Sequence, residues 1–153
     1  MIQINSDEYF MKKAICEAKK SALEEEVPIG AVIVLNNEII STGRNKREKS
    51  KNALHHAEIE AIFKACKELN QWRLIGCSLY VTLEPCPMCA GAIINSRIQR
   101  VIYGADDPKA GSCFSVINLF DLPYNHKPEI TPNILKEECS DTLSNFFKQL
   151  RKK

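Results

Sequence analysis

The sequence predicts a three-layer α/β fold, and three observations carry that expectation. In the first segment Phe10, Ala14, Ala18 and Ala22 recur every four residues, the spacing of one helix face. Short apolar runs from Ala31 to Leu35 and from Glu38 to Thr42 flank Asn36-Asn37, a turn signal between two strands, and so read as a β-hairpin. A strand-like run, Ser78 to Leu83, then a helix opened by Pro87, then Val101-Ile102-Tyr103 have the spacing of a βαβ unit, whose two strands are parallel. A hairpin beside a parallel pair makes a mixed sheet, and its apolar faces need helices on both sides.

Each element has a local reason. Ser6 is placed to cap the first helix, Asp7 and Glu8 suit its positive first turn, and Pro28 lies beyond its end. The polar segment from Gly43 to Asn52 reads as a loop. Ile59, Ile62, Phe63, Cys66 and Leu69 form a helical stripe, with His56 at the helix start on the same side. Pro85 ends the central strand, and Pro87 suits the first turn of a helix running to about Ser96. Thr131-Pro132 supplies a cap and a first-turn proline for a final helix with the stripe Leu135, Cys139, Leu143, Phe146, Phe147 and Leu150.

With 153 residues, residues 1–153 are expected to form one domain, large enough for a core without staples. No stretch approaches the roughly 20 apolar residues of a membrane span, and Met1 to Lys13 lack a signal-peptide apolar run, so a cytoplasmic location is expected. Seven cysteines are an odd count for a disulfide framework. Cys16, Cys66 and Cys139 fall in helical apolar patterns and Cys77 and Cys113 also read as packing residues. Net charge is +2, too small for strong global attraction to nucleic acid. Basic residues nonetheless gather at Arg44, Lys46, Arg47, Lys49 and Lys51 and at Lys148, Arg151, Lys152 and Lys153, which by themselves read as solvated faces.

Cys86 and Cys89 stand apart. Three residues apart at a helix start, they put two sulfurs on one side, where the helix N-terminus favours thiolate. His56 opens a separate helix that the intervening β segments can bring alongside. One imidazole and two thiolates suit zinc, and three protein ligands leave the fourth position open for water, the mark of a catalytic site. Glu58, two residues past His56, can sit beside that position without being a ligand and move protons. The alternatives are a thioredoxin-like redox pair or a closed zinc knot completed by His55 or His126; neither gives Glu58 a task. The combination of H-x-E with P-C-x-x-C matches the signature of zinc base deaminases.

Around these residues the sequence resembles the bacterial tRNA-specific adenosine deaminase family of the cytidine-deaminase superfamily. The resemblance runs through Val27-Pro28-Ile29-Gly30-Ala31-Val32, His56-Ala57-Glu58 and Thr82 to Ile93, then Ser96-Arg97-Ile98, Val101 to Ala105, Asp107 to Gly111 and Phe146-Phe147. It implies a cytidine-deaminase-like mixed sheet flanked by helices, one zinc ion per subunit on His56, Cys86 and Cys89, and Glu58 as proton donor. It also implies conversion of the wobble adenosine of an arginine tRNA anticodon to inosine by a homodimer. Asn45 resembles an asparagine that hydrogen-bonds the purine, and Asp107 an aspartate beside the target nucleotide. Ala57 is carried over as a substrate contact, and Asn125, His126 and Phe147 as RNA contacts. Two departures fall near the pocket: Asn52-Ala53-Leu54-His55 stands where Asp-Pro-Thr-Ala is common, and Phe114 where a small residue is common. A guanine- or cytosine-type deaminase of free bases or nucleosides would use the same zinc chemistry. A zinc-stabilised RNA-binding module without catalysis would need only the metal.

Overall fold

The computed structural model describes residues 5–152. Helix α1 (Asp7–Leu23) begins where Ser6 accepts a hydrogen bond from the Tyr9 N–H. Strands β1 (Gly30–Leu35) and β2 (Glu38–Arg44) follow. They are joined by Asn36 and Asn37, both at positive φ (50° and 65°) as a tight hairpin turn requires. A one-turn helix, α2 (Arg47–Ser50), interrupts the expected loop, and β2 runs two residues further than the apolar run suggests. Next come α3 (Ala57–Leu69), β3 (Ser78–Leu83), α4 (Pro87–Ser96), β4 (Arg100–Ala105), β5 (Glu129–Thr131) and α5 (Lys136–Arg151).

The sheet order is β2-β1-β3-β4-β5. β1 pairs antiparallel with β2 and β3, while β3–β4 and β4–β5 are parallel. Alternation along the strands sorts the two faces. Ala31, Ile33, Leu79, Val81, Val101 and Tyr103 meet α3 and α4 on one side; Val32, Val34, Tyr80 and Ile102 meet α1 and α5 on the other. The expected three-layer arrangement is therefore the observed one. Asp7 fastens the start of α1 to the sheet, accepting from Tyr80 Oη at 2.7 Å and from Arg100 Nη1 and Nη2 at 2.9 and 2.6 Å.

Three expectations need correction. The face α3 lays on the sheet centres on Ala57, Ala61 and Ala65, all fully buried; of the expected stripe Ile62, Cys66 and Leu69 pack partly buried against the same core, whereas Phe63 is 61% exposed. The reason is distance: a Cβ on Gly43 of β2 would lie 2.1 Å from the Ala57 carbonyl oxygen, so helix and strand approach too closely for large side chains. At the chain's end Thr131 does not cap a helix. It pairs with Ile102 as the last residue of β5, and α5 starts after Leu135, whose side chain does not cap. Of the final stripe only Cys139 is buried, where it lies against Gly104 of β4, and Phe147 and Leu150, further along α5, are exposed. Cys16 is exposed, on the side of α1 opposite Phe10 and Ala14, while Cys77 and Cys113 are buried as expected.

Candidate active site

The N-termini of α3 and α4 converge at the carboxyl end of β3. His56 is the residue preceding α3 and Cys86 the residue preceding α4, both in extended backbone, and neither side chain caps its helix. That leaves the imidazole and the thiol free to point at a common centre, where two helix dipoles favour negative charge. Cys89, on the first turn of α4, is fully buried beside them. Each sulfur lies 3.6 Å from His56 Nδ1. A tetrahedral zinc with bonds of about 2.3 Å to sulfur and 2.0 Å to nitrogen needs N···S edges of about 3.5 Å, so the donor set fits that ion without rearrangement. All three ligand atoms lie within 4.8 Å of one another.

The protons of this cluster are shared. The hydrogen bond from Cys89, joined by one from His56, pushes the Cys86 thiol down to about 4. The same bond, with burial, pushes Cys89 far up, and contact with Cys86 raises the His56 imidazole. A dication among these groups would take the place of the shared protons. Glu58, in the first turn of α3, is 4% exposed and lies against Cys89. Burial, with the neighbouring Cys86 charge, lifts its carboxyl to about 7, poised to gain and lose a proton near neutrality.

These groups open into a cleft of about 240 Å³ lined by Val27, Ile29, Asn45, Arg47, Leu83 and Asp107, among others. It is not the largest hollow on the surface, since one of about 340 Å³ lies between α1 and α5, but it is the one that holds the donor cluster. Pockets for drug-sized ligands run to about 300–1,000 Å³, so this cleft suits a single heterocycle.

A family model for MafB19-like deaminases matches residues 4–151. The tRNA-specific adenosine deaminase of Bacillus subtilis is 51% identical over 98% of this chain and 94% of its own length. The chain belongs to the tRNA-specific adenosine deaminase family. A solved structure from work on A-to-I editing by tRNA:A34 deaminases at the wobble position superimposes with a TM-score of 0.86 at 43% identity, covering 88% of this chain and 99% of that one. Guanine deaminase from Bacillus subtilis is further away, with a TM-score of 0.66 at 33% identity over 97% of this chain and 96% of that one.

Within this deaminase the expected substrate contacts divide into two groups. Asn45, Ala57 and Asp107 line the cleft. Asn45 is buried; its Oδ1 accepts from the Arg47 N–H at 3.1 Å and its Nδ2 donates to the Val27 carbonyl at 3.2 Å. The amide therefore shapes the turn, yet keeps one lone pair and one N–H for a ligand. Asn125, His126 and Phe147 are not in the cleft. Asn125 is exposed, His126 Nε2 meets the Ile98 carbonyl at 2.7 Å, and Phe147 lies on α5. His55 is engaged by Ser50 and Glu60, so neither histidine closes a zinc knot.

The basic run that precedes the cleft is mostly spent internally. Arg44 and Lys49 pair with Glu24, and Lys46 with Glu60, while Arg47 reaches the cleft wall. Lys153 lies outside the described residues. Sequence reasoning passed over two buried carboxylates. Glu26 accepts from the N–H groups of Glu48 and Lys49, holding the Asn45–Arg47 wall. Glu84, beside Pro85-Cys86, holds the opposite wall. The available signals were an acidic run, Glu24-Glu25-Glu26, and an acid closing an otherwise apolar strand, and neither pattern says what the acid binds.

Proposed function

We propose that this chain hydrolyses the wobble adenosine of a tRNA anticodon to inosine and ammonia, with the whole chain acting as one catalytic domain. The observation that carries the reading is Glu58, buried at the floor of a base-sized cleft against a nitrogen–sulfur donor set of zinc dimensions. His56, Cys86 and Cys89 hold one zinc ion per subunit. When bound, that ion supplies the Lewis acidity that makes water nucleophilic near neutral pH. Glu58 accepts one proton from the water and delivers it to the purine ring nitrogen, then takes the remaining hydroxyl proton and delivers it to the departing amine, so one carboxyl serves both transfers. Asn45 orients the base edge through its remaining donor and acceptor, with Ala57 and Asp107 completing the contact surface.

An anticodon loop suits this cleft because its bases are already unpaired, which keeps the cost of flipping one out low. Asn125, His126 and Phe147 contact RNA outside the cleft, and an arginine tRNA is the substrate. The enzyme works in the cytoplasm in this reading, which a tRNA substrate supports; among the described residues no helix is long and apolar enough to cross a membrane. Incubation of zinc-loaded protein with an arginine tRNA bearing adenosine at the wobble position is expected to yield inosine. Ammonia release from free guanine, cytosine or nucleosides, with none from tRNA, would instead establish the small-substrate deaminase.

The chain acts as a homodimer in this reading. Supporting it, Leu54, Phe63, Trp72 and Ile75 are each more than half exposed, an apolar excess that a second copy would cover. Light scattering at micromolar concentration is expected to give twice the 17.3 kDa chain mass, and a monomer would sink the idea.

A further inference from the structure

The geometry points to Glu84 as a positioning residue: we propose that its carboxylate fixes the 107–115 loop in the shape that receives the substrate base. This rests on the deaminase reading of the cleft. Glu84 is 2% exposed at the end of β3, where its N–H donates to the Ala105 carbonyl at 2.9 Å. Its Oε1 accepts from the Asp107 N–H at 3.0 Å and from the Ser115 hydroxyl. Its Oε2 accepts from the N–H groups of Cys113, Phe114 and Ser115 at 3.1, 2.9 and 2.9 Å. Among the described residues no Lys or Arg pairs with it, so loop amides and one hydroxyl compensate a buried charge.

The loop is wrapped directly on the carboxylate. A Cβ on Gly111 would lie 2.3 Å from Glu84 Cδ and 2.5 Å from the Asp107 carbonyl, so the chain can pass there only as glycine. Asp107 and Ala110 of the same loop form one wall of the cleft, and Cys86 follows Glu84 by two residues. One side chain thus ties the wall to the strand that delivers a metal ligand. It does not touch the reacting atoms, so its effect should fall on substrate capture and leave the proton transfers of Glu58 alone.

Glu84→Gln keeps the volume but presents an amide NH2 where an oxygen accepted, and loses the Asp107 bond if it stands at Oε1 or the three loop amides if at Oε2. With tRNA substrate, KM is expected to rise about tenfold, the effect of one unmet buried hydrogen bond. The same variant should keep kcat within about twofold and bind one zinc per chain. Hydrogen exchange at the amides of Asp107, Cys113, Phe114 and Ser115 should accelerate. Ser115→Ala, which removes only the hydroxyl, should raise KM about threefold and decides the matter if Glu84→Gln does not fold. A lower melting temperature with kcat and KM unchanged would reduce Glu84 to a structural clamp and overturn the proposal; so would a fall in kcat alone, or loss of zinc. If the wild-type protein leaves tRNA unconverted, the functional reading fails and the substrate role of the loop falls with it; unaccelerated amides in Glu84→Gln overturn the anchor independently.

Discussion

Glu58→Gln is expected to lower the rate of inosine formation by about 10³-fold or more, while the protein keeps its fold and its zinc. General acid–base catalysis is worth about 10²–10⁴ in rate, and this one carboxyl carries successive proton transfers, so the upper part of that range applies. At about 1.4 kcal/mol per decade, the loss corresponds to about 4 kcal/mol of transition-state stabilisation. Glutamine fills the same buried volume beside Cys89 and His56 but cannot give and regain a proton. The measurements are single-turnover deamination of tRNA and metal content by elemental analysis. Turnover within tenfold of wild type would remove Glu58 from the chemistry. Tight RNA binding with catalysis absent from wild type as well would favour a zinc-stabilised binding module.

Gly43→Ala is expected to be strongly destabilising. The added methyl would meet the Ala57 carbonyl oxygen at 2.1 Å and the Ala61 nitrogen at 2.7 Å, both backbone atoms of α3 that no rotamer change can move. Overpacking of this kind costs about 3 kcal/mol, which for a chain of this size lowers the melting temperature by about 6–12 °C. Because α3 carries His56 and Glu58 at the end nearest Gly43, displacing it should also loosen the 3.6 Å nitrogen–sulfur spacing and weaken zinc binding. Gly91→Ala is the control. Nothing lies within 4 Å of a Cβ there, and alanine in mid-helix α4 should be neutral or stabilising by about 0.5–1 kcal/mol. Thermal unfolding of both variants tests this, and a Gly43→Ala melting point equal to wild type would show that α3 is not seated on β2 as described.

The candidate catalytic cluster was legible because its signal is chemical and local. A Cys-x-x-Cys at a helix start and a His-x-Glu at another use residue types and spacings that few other tasks explain, and the structure brings their side chains together. The elements missed were those whose reason is not local. β5 is three residues long and pairs through Ile130 and Thr131 with β4, a partner about 30 positions earlier that the pattern at 129–131 does not announce. The stripe on α3 was right for Ile62, Cys66 and Leu69, which pack against the core, but not for Phe63: hydrophobicity identifies it as apolar, and only the approach of Gly43 shows that alanines occupy the closest contact.

The sequence by itself determined the chemistry available to this protein: one imidazole and two thiolates for a metal, one carboxyl for protons, and strands and helices in an order that must form a mixed sheet. Those properties reside in residue types and short spacings. Only the tertiary structure decided how the cleft is shaped. Asn45 and Asp107 both line it, and Glu26 and Glu84, buried and far apart in the chain, gather the backbone N–H groups of the segments that carry them. A carboxylate removed from water must find donors, and which loops supply them is settled by the fold's packing and not by any pattern along the chain.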